Sequence, residues 1–148
     1  MPASSQSEVA ILDFGSQYTH LIARRIRELG VVSHIYPNHI STDQLHDAVG
    51  IILSGGPKSV VSDPPLAYDP KLFELNKPIL GLCYGHQLIA KHFGGKVGKG
   101  AAREYGLATM TITHYPLPIT HIFSQIPFFT TVWMSHGDAL TAVPPGFR

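Results

Sequence analysis

The chain has 148 residues, enough for one domain with a buried core and too few to expect two. Hydrophobic residues make up 44% and charged residues 14%, a balance typical of globular proteins, so a disordered chain is excluded. Eleven basic and ten acidic residues give a formal net charge of +1, and no run of like charge favours nucleic acid or a membrane surface as partner.

The N-terminus and the single cysteine set further limits. Polar residues 1–8 predict a disordered start without the apolar core of a signal peptide, and one domain is expected over residues 9–148. No segment approaches the roughly 20 apolar residues that span a bilayer. A cytoplasmic location is therefore the expectation. Cys83 is the only cysteine, so an internal disulfide is excluded.

The first predicted element is a buried strand at residues 9–12, an apolar run that a turn at residues 13–15 closes. Ser16 is expected to cap the helix that follows, and Gly30 to end it. The apolar residues of this helix recur at helical spacing: Leu21, Ile22, Ile26 and Leu29. The chain thus opens with a strand and an amphipathic helix.

The next elements continue the alternation. Residues 31–36 predict a second strand, residues 41–44 a capping box for a short helix through about residue 49, and residues 50–53 a third strand. A fourth strand at 78–82 passes through Cys83 into a helix at 84–92. Strands alternating with helices predict an α/β fold, an open and mostly parallel sheet with helices on both faces.

The composition changes after residue 100. Residues 107–113 and 130–134 are rich in Thr, Val, Ile and aromatic residues, which predicts extended strands in the C-terminal part. In parallel α/β sheets, ligands bind where loops leave the carboxyl ends of the strands. Cys83 and the glycine-rich loop after the third strand both occupy that edge.

The segment around Cys83 has the pattern of a nucleophile elbow. Residues 81–85, Gly-Leu-Cys-Tyr-Gly, join an apolar strand to a helix, with cysteine where related hydrolases have serine. Glycine two residues before and after the nucleophile removes side chains that would clash with the tight turn. The helix N-terminus favours the thiolate, the form that attacks carbon. A lone cysteine is more often a buried apolar residue, but the glycine pair favours a nucleophile.

Two further groups are candidates for the same site. The loop Ser54-Gly55-Gly56-Pro57 follows the third strand, and its N–H groups, with that of Tyr84, suit an oxyanion. Taken alone, the loop would be an ordinary tight turn. His136 and Asp138 suggest a Cys83–His136–Asp138 triad. The alternative is that His136 is structural, because with nine histidines in the chain one can lie near the cysteine by chance. No metal-ligand pattern is present, so no metal is predicted.

Five sequence blocks carry a resemblance to a known family. They are residues 11–18 (ILDFGSQY), 53–57 (LSGGP), 81–87 (GLCYGHQ), 103–106 (REYG) and 133–138 (WMSHGD). Together they resemble the class I glutamine amidotransferase domain of the GMP synthetase family over about residues 9–147. The resemblance implies a flavodoxin-like sheet.

The resemblance also implies the chemistry and its residues. Cys83 would attack the side-chain amide of glutamine, release ammonia and form a thioester that water resolves to glutamate. Gly56 and Tyr84 would donate backbone N–H groups to the oxyanion. The residues that would hold the glutamine are Ser54, Gly55, Gln87, Ser135, His136, Gly137 and Asp138. On this interpretation His136 is a binding residue, and the triad with Asp138 is set aside.

The family places its general base and orienting acid in an H-P-E motif downstream of residues 133–138. No such motif occurs up to Arg148, so the resemblance implies an incomplete triad in this chain. Without a base to move the thiol proton, weak or absent glutaminase activity is expected from this chain alone.

The implied partner is an ATP-dependent synthetase domain or subunit. It would use ATP and Mg²⁺ to activate xanthosine monophosphate (XMP), which the ammonia converts to GMP, while the amidotransferase domain itself needs no cofactor. Three alternatives stay open: an amidotransferase for another acceptor, a relative with a Cys–His peptidase-like site, and a non-catalytic fragment that binds glutamine or a partner.

Overall fold

The computed structural model describes residues 7–112, 122–123 and 125–147, without the side chains of 101–104 and 136. Its contacts divide the chain into two compact units. The first unit comprises Met1–Lys99 and Asp138–Arg148, and the second comprises Gly100–Gly137. The division begins at the residue where the sequence changes from alternating strands and helices to extended strands.

The first unit contains a four-stranded parallel sheet. Its strands are β1 (Glu8–Asp13), β2 (Val32–Pro37), β3 (Ala48–Leu53) and β4 (Ile79–Gly81), and their order in the sheet is β2-β1-β3-β4. The two central strands are apolar because both of their faces are covered. Ala10, Ile11 and Leu53 are fully buried. The predicted α/β fold with a parallel sheet is confirmed.

The sheet begins one residue earlier than the sequence indicated. Glu8 was assigned to the disordered N-terminus, but it pairs with Val32 of β2 and is only 9% exposed. Its carboxylate accepts a hydrogen bond from the Tyr36 hydroxyl at 2.9 Å and also contacts His34. These partners on β2 hold Glu8 in the strand.

Within the described residues, the strands are connected by two α-helices and two short 3₁₀ helices. They are α1 (Thr19–Glu28), α2 (Tyr84–His92), and 3₁₀ helices at Thr42–Leu45 and Pro70–Glu74. The prediction that Ser16 caps α1 is wrong, because Tyr18 occupies the N-cap position. Ser16 Oγ instead accepts a hydrogen bond from Tyr18 N at 3.1 Å, which forms a turn before the helix. The predicted helix through residue 49 is also shorter, because β3 already begins at Ala48.

The buried face of α1 differs from the predicted one. Thr19 and Ala23 are buried against the sheet, whereas Leu21 is 45% and Leu29 is 82% exposed. Thr19 is fixed there because its hydroxyl donates to Asp13 Oδ1 at 2.8 Å. Small residues on this face let the helix lie close to the sheet.

The two remaining strands, β5 (Lys96–Thr111) and β6 (Phe129–Ala142), pair in a separate two-stranded sheet. They include most of the residues that the sequence predicted to be extended. Within the described part of the chain, no helix is long and apolar enough to cross a membrane.

Candidate active site

Cys83 lies at the turn between β4 and α2. Its backbone has φ 49° and ψ −108°, a conformation that residues other than glycine rarely adopt. The turn is held on both sides: Leu82 N donates to Leu53 O at 3.0 Å, and Gln87 N donates to Cys83 O at 3.0 Å. The thiol is exposed. The strained turn therefore presents a reactive group to solvent at the carboxyl edge of the sheet.

The glycines that flank Cys83 permit this turn. A Cβ at Gly81 would lie 2.5 Å from His86 N and 2.6 Å from the carbonyl carbon of Gly85. A Cβ at Gly85 would lie 2.6 Å from Leu53 Cβ. Neither position accepts a side chain, in agreement with the elbow that the sequence predicted.

The glycine loop after β3 passes next to the cysteine. A Cβ at Gly55 would lie 3.4 Å from Cys83 Cβ, and a Cβ at Gly56 would lie 2.5 Å from Phe14 O. The absence of side chains therefore lets the backbone of Gly55 lie beside Cys83 and that of Gly56 lie closely against the end of β1. An oxyanion site needs N–H donors that reach the carbon that the thiol attacks, and the role of Gly56 as such a donor stays a prediction.

Ser54 is buried, and its polar atoms are hydrogen-bonded within the protein. It is fully buried, its hydroxyl donates to Gly55 O at 2.8 Å, and its Oγ accepts from Phe14 N at 2.9 Å. Its backbone is also committed, because Ser54 N donates to Leu12 O and Ser54 O accepts from Gly85 N. Ser54 therefore joins β1, the glycine loop and α2, and its contact with glutamine stays a prediction.

Tyr84 supplies the second predicted oxyanion donor. It is the first residue of α2, so its N–H has no acceptor within the helix and lies at the positive end of the helix dipole. Its ring is buried against Phe14, with ring centres 5.4 Å apart, and its hydroxyl accepts from Leu66 N at 3.2 Å. These contacts fix the first turn of α2 and with it the direction of the N–H group.

Gln87 of α2 contacts Asp138 of β6. Gln87 is 7% exposed, and its Nε2 donates to Asp138 O at 3.1 Å. Their contact ties α2 to β6 across the chain. The binding of glutamine by these two residues remains a prediction.

The other predicted binding residues, Ser135, His136 and Gly137, belong to the second unit. Ser135 is exposed, and the side chain of His136 lies outside the described residues. Their contact with glutamine, and the alternative triad through His136, stay predictions. Among the residues that the structure describes, no group of three or more His, Cys, Asp or Glu could hold a metal ion.

The sequence did not indicate that Ser16 lies beside this site. A Cβ at Gly55 would be 3.7 Å from Ser16 Oγ and 3.4 Å from Cys83 Cβ, so the serine and the cysteine flank the same glycine. In the sequence, only the position of Ser16 just after β1 could have indicated this. It does so only once β1 is known to pair with β3, because that pairing brings the ends of the two strands together.

A strained cysteine at a strand-to-helix turn of a parallel sheet, beside a glycine loop, defines an α/β enzyme domain with a cysteine nucleophile. The family model described as glutamine amidotransferase class-I matches residues 10–148. The chain belongs to the class I glutamine amidotransferase family.

Two relatives illustrate the likeness in sequence. The protein named GMP synthase [glutamine-hydrolyzing] from Chlorobaculum tepidum is 49% identical over 148 residues, which cover 99% of this chain and 28% of that protein. A protein of the same name from Geobacillus kaustophilus is 49% identical over 145 residues, covering 97% and 28%. The chain therefore spans under a third of the length of these relatives.

Two crystal structures illustrate the likeness in fold. A Thermoplasma acidophilum protein described as a GMP synthase subunit has a TM-score of 0.77 and 32% identity over 95% of this chain and 69% of its own. A glutamine amidotransferase from Methylobacillus flagellatus has a TM-score of 0.65 over 95% of this chain and 59% of its own. At 20% identity the second likeness bears on the fold alone.

Proposed function

We propose that this domain hydrolyses glutamine to glutamate and ammonia through a thioester on Cys83, and that the ammonia converts XMP to GMP. The observation that carries the proposal is the strained, exposed Cys83 beside the Gly55-Gly56 backbone. Sequence identity of 49% to proteins named GMP synthase supports the choice of acceptor.

The chemistry follows from the placement of these groups. The Cys83 thiolate attacks the side-chain amide carbon of glutamine, and the amide oxygen becomes an oxyanion beside the N–H groups of Tyr84 and Gly56. Collapse of this intermediate, with the proton that left the Cys83 thiol transferred to the nitrogen, breaks the C–N bond and releases ammonia. Water then adds to the thioester, which yields glutamate and restores the thiol.

The ammonia is consumed by an ATP-dependent synthetase domain or subunit. Support for this partner comes from length, because the chain spans only 28% of relatives whose name specifies both glutamine hydrolysis and GMP synthesis. ATP and Mg²⁺ act in that synthetase part, and the amidotransferase domain itself uses no cofactor.

The test compares two nitrogen sources. The protein that carries this domain, together with its synthetase part, is assayed for conversion of XMP to GMP with glutamine or with ammonium. Substitution Cys83→Ala should lower glutamine-dependent activity by at least about 10³-fold, since the nucleophile is lost, and should leave ammonium-dependent activity unchanged. The control is Ser62→Ala, a change at an exposed residue outside the site.

Glutamine-dependent activity that survives in Cys83→Ala would contradict the nucleophile. Ammonia release without formation of GMP in the wild-type assembly would retain the amidotransferase and reject the acceptor.

A further inference from the structure

The direction in which strands are added to the sheet reverses between β1 and β3. The chain leaves β1 toward β2 on one side and then crosses to β3 on the other side of β1. In open parallel sheets, ligands bind outside the carboxyl ends of strands where the order reverses in this way. The loops at that point are residues 13–16 after β1 and residues 54–56 after β3, with Cys83 after the neighbouring β4.

Ser16 and Cys83 both lie next to Gly55 at this edge of the sheet. A Cβ on Gly55 would contact both Ser16 Oγ, at 3.7 Å, and Cys83 Cβ, at 3.4 Å. The carbon chain of glutamine, from its side-chain amide carbon to its α-carboxylate carbon, is about 5 Å long when extended. A glutamine whose amide lies at the thiol can therefore reach Ser16 with its other end.

The loop holds Ser16 firmly in this place. Asp13 Oδ1 accepts hydrogen bonds from Gly15 N at 2.9 Å and from the Thr19 hydroxyl at 2.8 Å. Thr19 is buried, and Thr19 N donates to Ser16 O at 3.3 Å. The two hydrogen bonds that Asp13 accepts, and the one that Thr19 N donates, thus fix the backbone on each side of Ser16.

Among the described residues, the hydrogen of the Ser16 hydroxyl has no acceptor. The hydroxyl oxygen accepts from Tyr18 N at 3.1 Å. The side chain is half-buried, so solvent reaches it only in part. A donor without an acceptor beside the nucleophile suits a negatively charged substrate group.

We propose that Ser16 is a specificity-determining residue that donates its hydroxyl hydrogen to the α-carboxylate of glutamine. This inference rests on the proposed glutamine hydrolysis and names the residue that recognises the far end of the substrate. The role differs from helix capping, because the oxygen serves the turn while the hydrogen serves the ligand.

The test uses alkylation of Cys83 by iodoacetamide. Because the chain contains a single cysteine, the mass of the alkylated protein reports this one site. In the wild type, L-glutamine should slow alkylation, and the concentration for half-protection measures its affinity. Substitution Ser16→Ala should raise that concentration about 10-fold or more, the usual effect of losing a hydrogen bond to a charged group. Alkylation without glutamine should change less than about twofold, since the thiol itself is untouched.

Two variants separate a ligand contact from damage to the loop. Ser16→Thr keeps the hydroxyl and should restore half-protection to within about threefold of the wild type. Ser62→Ala removes an exposed serine and should have no effect. An equal loss in Ser16→Thr and Ser16→Ala would overturn the proposal, because a retained hydroxyl would then not matter.

A second ligand identifies the group that Ser16 recognises. L-Glutaminamide has a neutral amide in place of the α-carboxylate, so Ser16→Ala should weaken its protection much less than that of L-glutamine. Equal weakening for both ligands would overturn the assignment to the carboxylate. Absence of protection in the wild type would reject the proposed function itself, whereas protection that is equal in wild type and Ser16→Ala would reject only the role of Ser16.

Discussion

At the scale of single residues, Cys83 combines reactivity with backbone strain. Its φ of 49° and ψ of −108° mirror an extended conformation, which glycine adopts freely and other residues do not. Such a conformation costs about 1–3 kcal/mol and persists only where neighbours enforce it. Here the backbone bonds to Leu53 and Gln87 enforce it. The side chain needed for chemistry thus lowers the stability of the fold.

This cost can be measured by comparing two inactive variants. Cys83→Gly should have a free energy of unfolding about 1–2 kcal/mol higher than Cys83→Ala, because glycine relieves the strain and alanine keeps it. Loss of packing is small in both, since the thiol is exposed. Urea unfolding followed by circular dichroism gives the two values. Equal stability would show that the turn is unstrained.

At the scale of elements, the elbow brings α2 into close contact with β3. Gly85 lies directly against Leu53, and its N–H also donates to Ser54 O at 3.1 Å. Helix and strand can approach this closely only because no side chain separates them. The position of Cys83 over the sheet therefore depends on a residue that takes no part in the chemistry.

Substitution Gly85→Ala tests this contact. The added methyl group would overlap Leu53, so the free energy of unfolding should fall by about 3 kcal/mol. The matched control is Gly50→Ala in β3, where the methyl group would lie 3.7 Å from Pro78 O, an ordinary contact. The control should change stability by less than about 0.5 kcal/mol. A similar loss in both variants would contradict the packing argument.

The sequence predicted the elements whose signal is local. Apolar runs predicted the four strands, and the glycines around Cys83 predicted the turn into α2. It could not predict which side of α1 is buried, because Leu21 and Leu29 fit the apolar pattern while Thr19 is held by Asp13. That choice depends on partners elsewhere in the fold.

The same distinction applies to the site. Cys83 has a local pattern and was predicted, and the glycine loop after β3 was predicted with it. The resemblance implies that Ser54 binds glutamine, but it cannot indicate that the Ser54 hydroxyl is hydrogen-bonded to Phe14 and Gly55, 40 and one residue away in the chain. Gln87 meets Asp138 over 51 residues, which spacing alone cannot reveal.

At the scale of the whole molecule, the two units differ in how much they bury. Among the described residues, the first has a four-stranded sheet whose two central strands contain fully buried side chains such as Ile11 and Leu53, whereas β5 and β6 form a two-stranded sheet. Large apolar side chains of the second unit are exposed: Tyr105 (66%), Leu107 (74%), Phe129 (71%) and Trp133 (67%). A two-stranded sheet with little burial has little stability of its own.

Hydrogen exchange should therefore separate the two units. Amides of β1 and β3 should exchange at least about 100-fold more slowly than those of residues 105–111 and 129–135, because they open only with the core. Exchange followed by mass spectrometry of peptides measures both sets in one sample. Similar protection throughout would mean that the units open together.

The central position of β1 has a consequence for how the chain is made. This strand pairs with β2 on one edge and β3 on the other, yet it precedes both. Phe14, the residue after β1, donates its backbone N–H to the hydroxyl oxygen of Ser54, 40 residues later in the chain. At roughly 5–20 residues per second, a ribosome takes several seconds to cover that distance. The nascent chain must keep this strand, whose residues 9–12 are all apolar, from wrong partners during that time, so we expect chaperone capture and early misfolding to centre on β1.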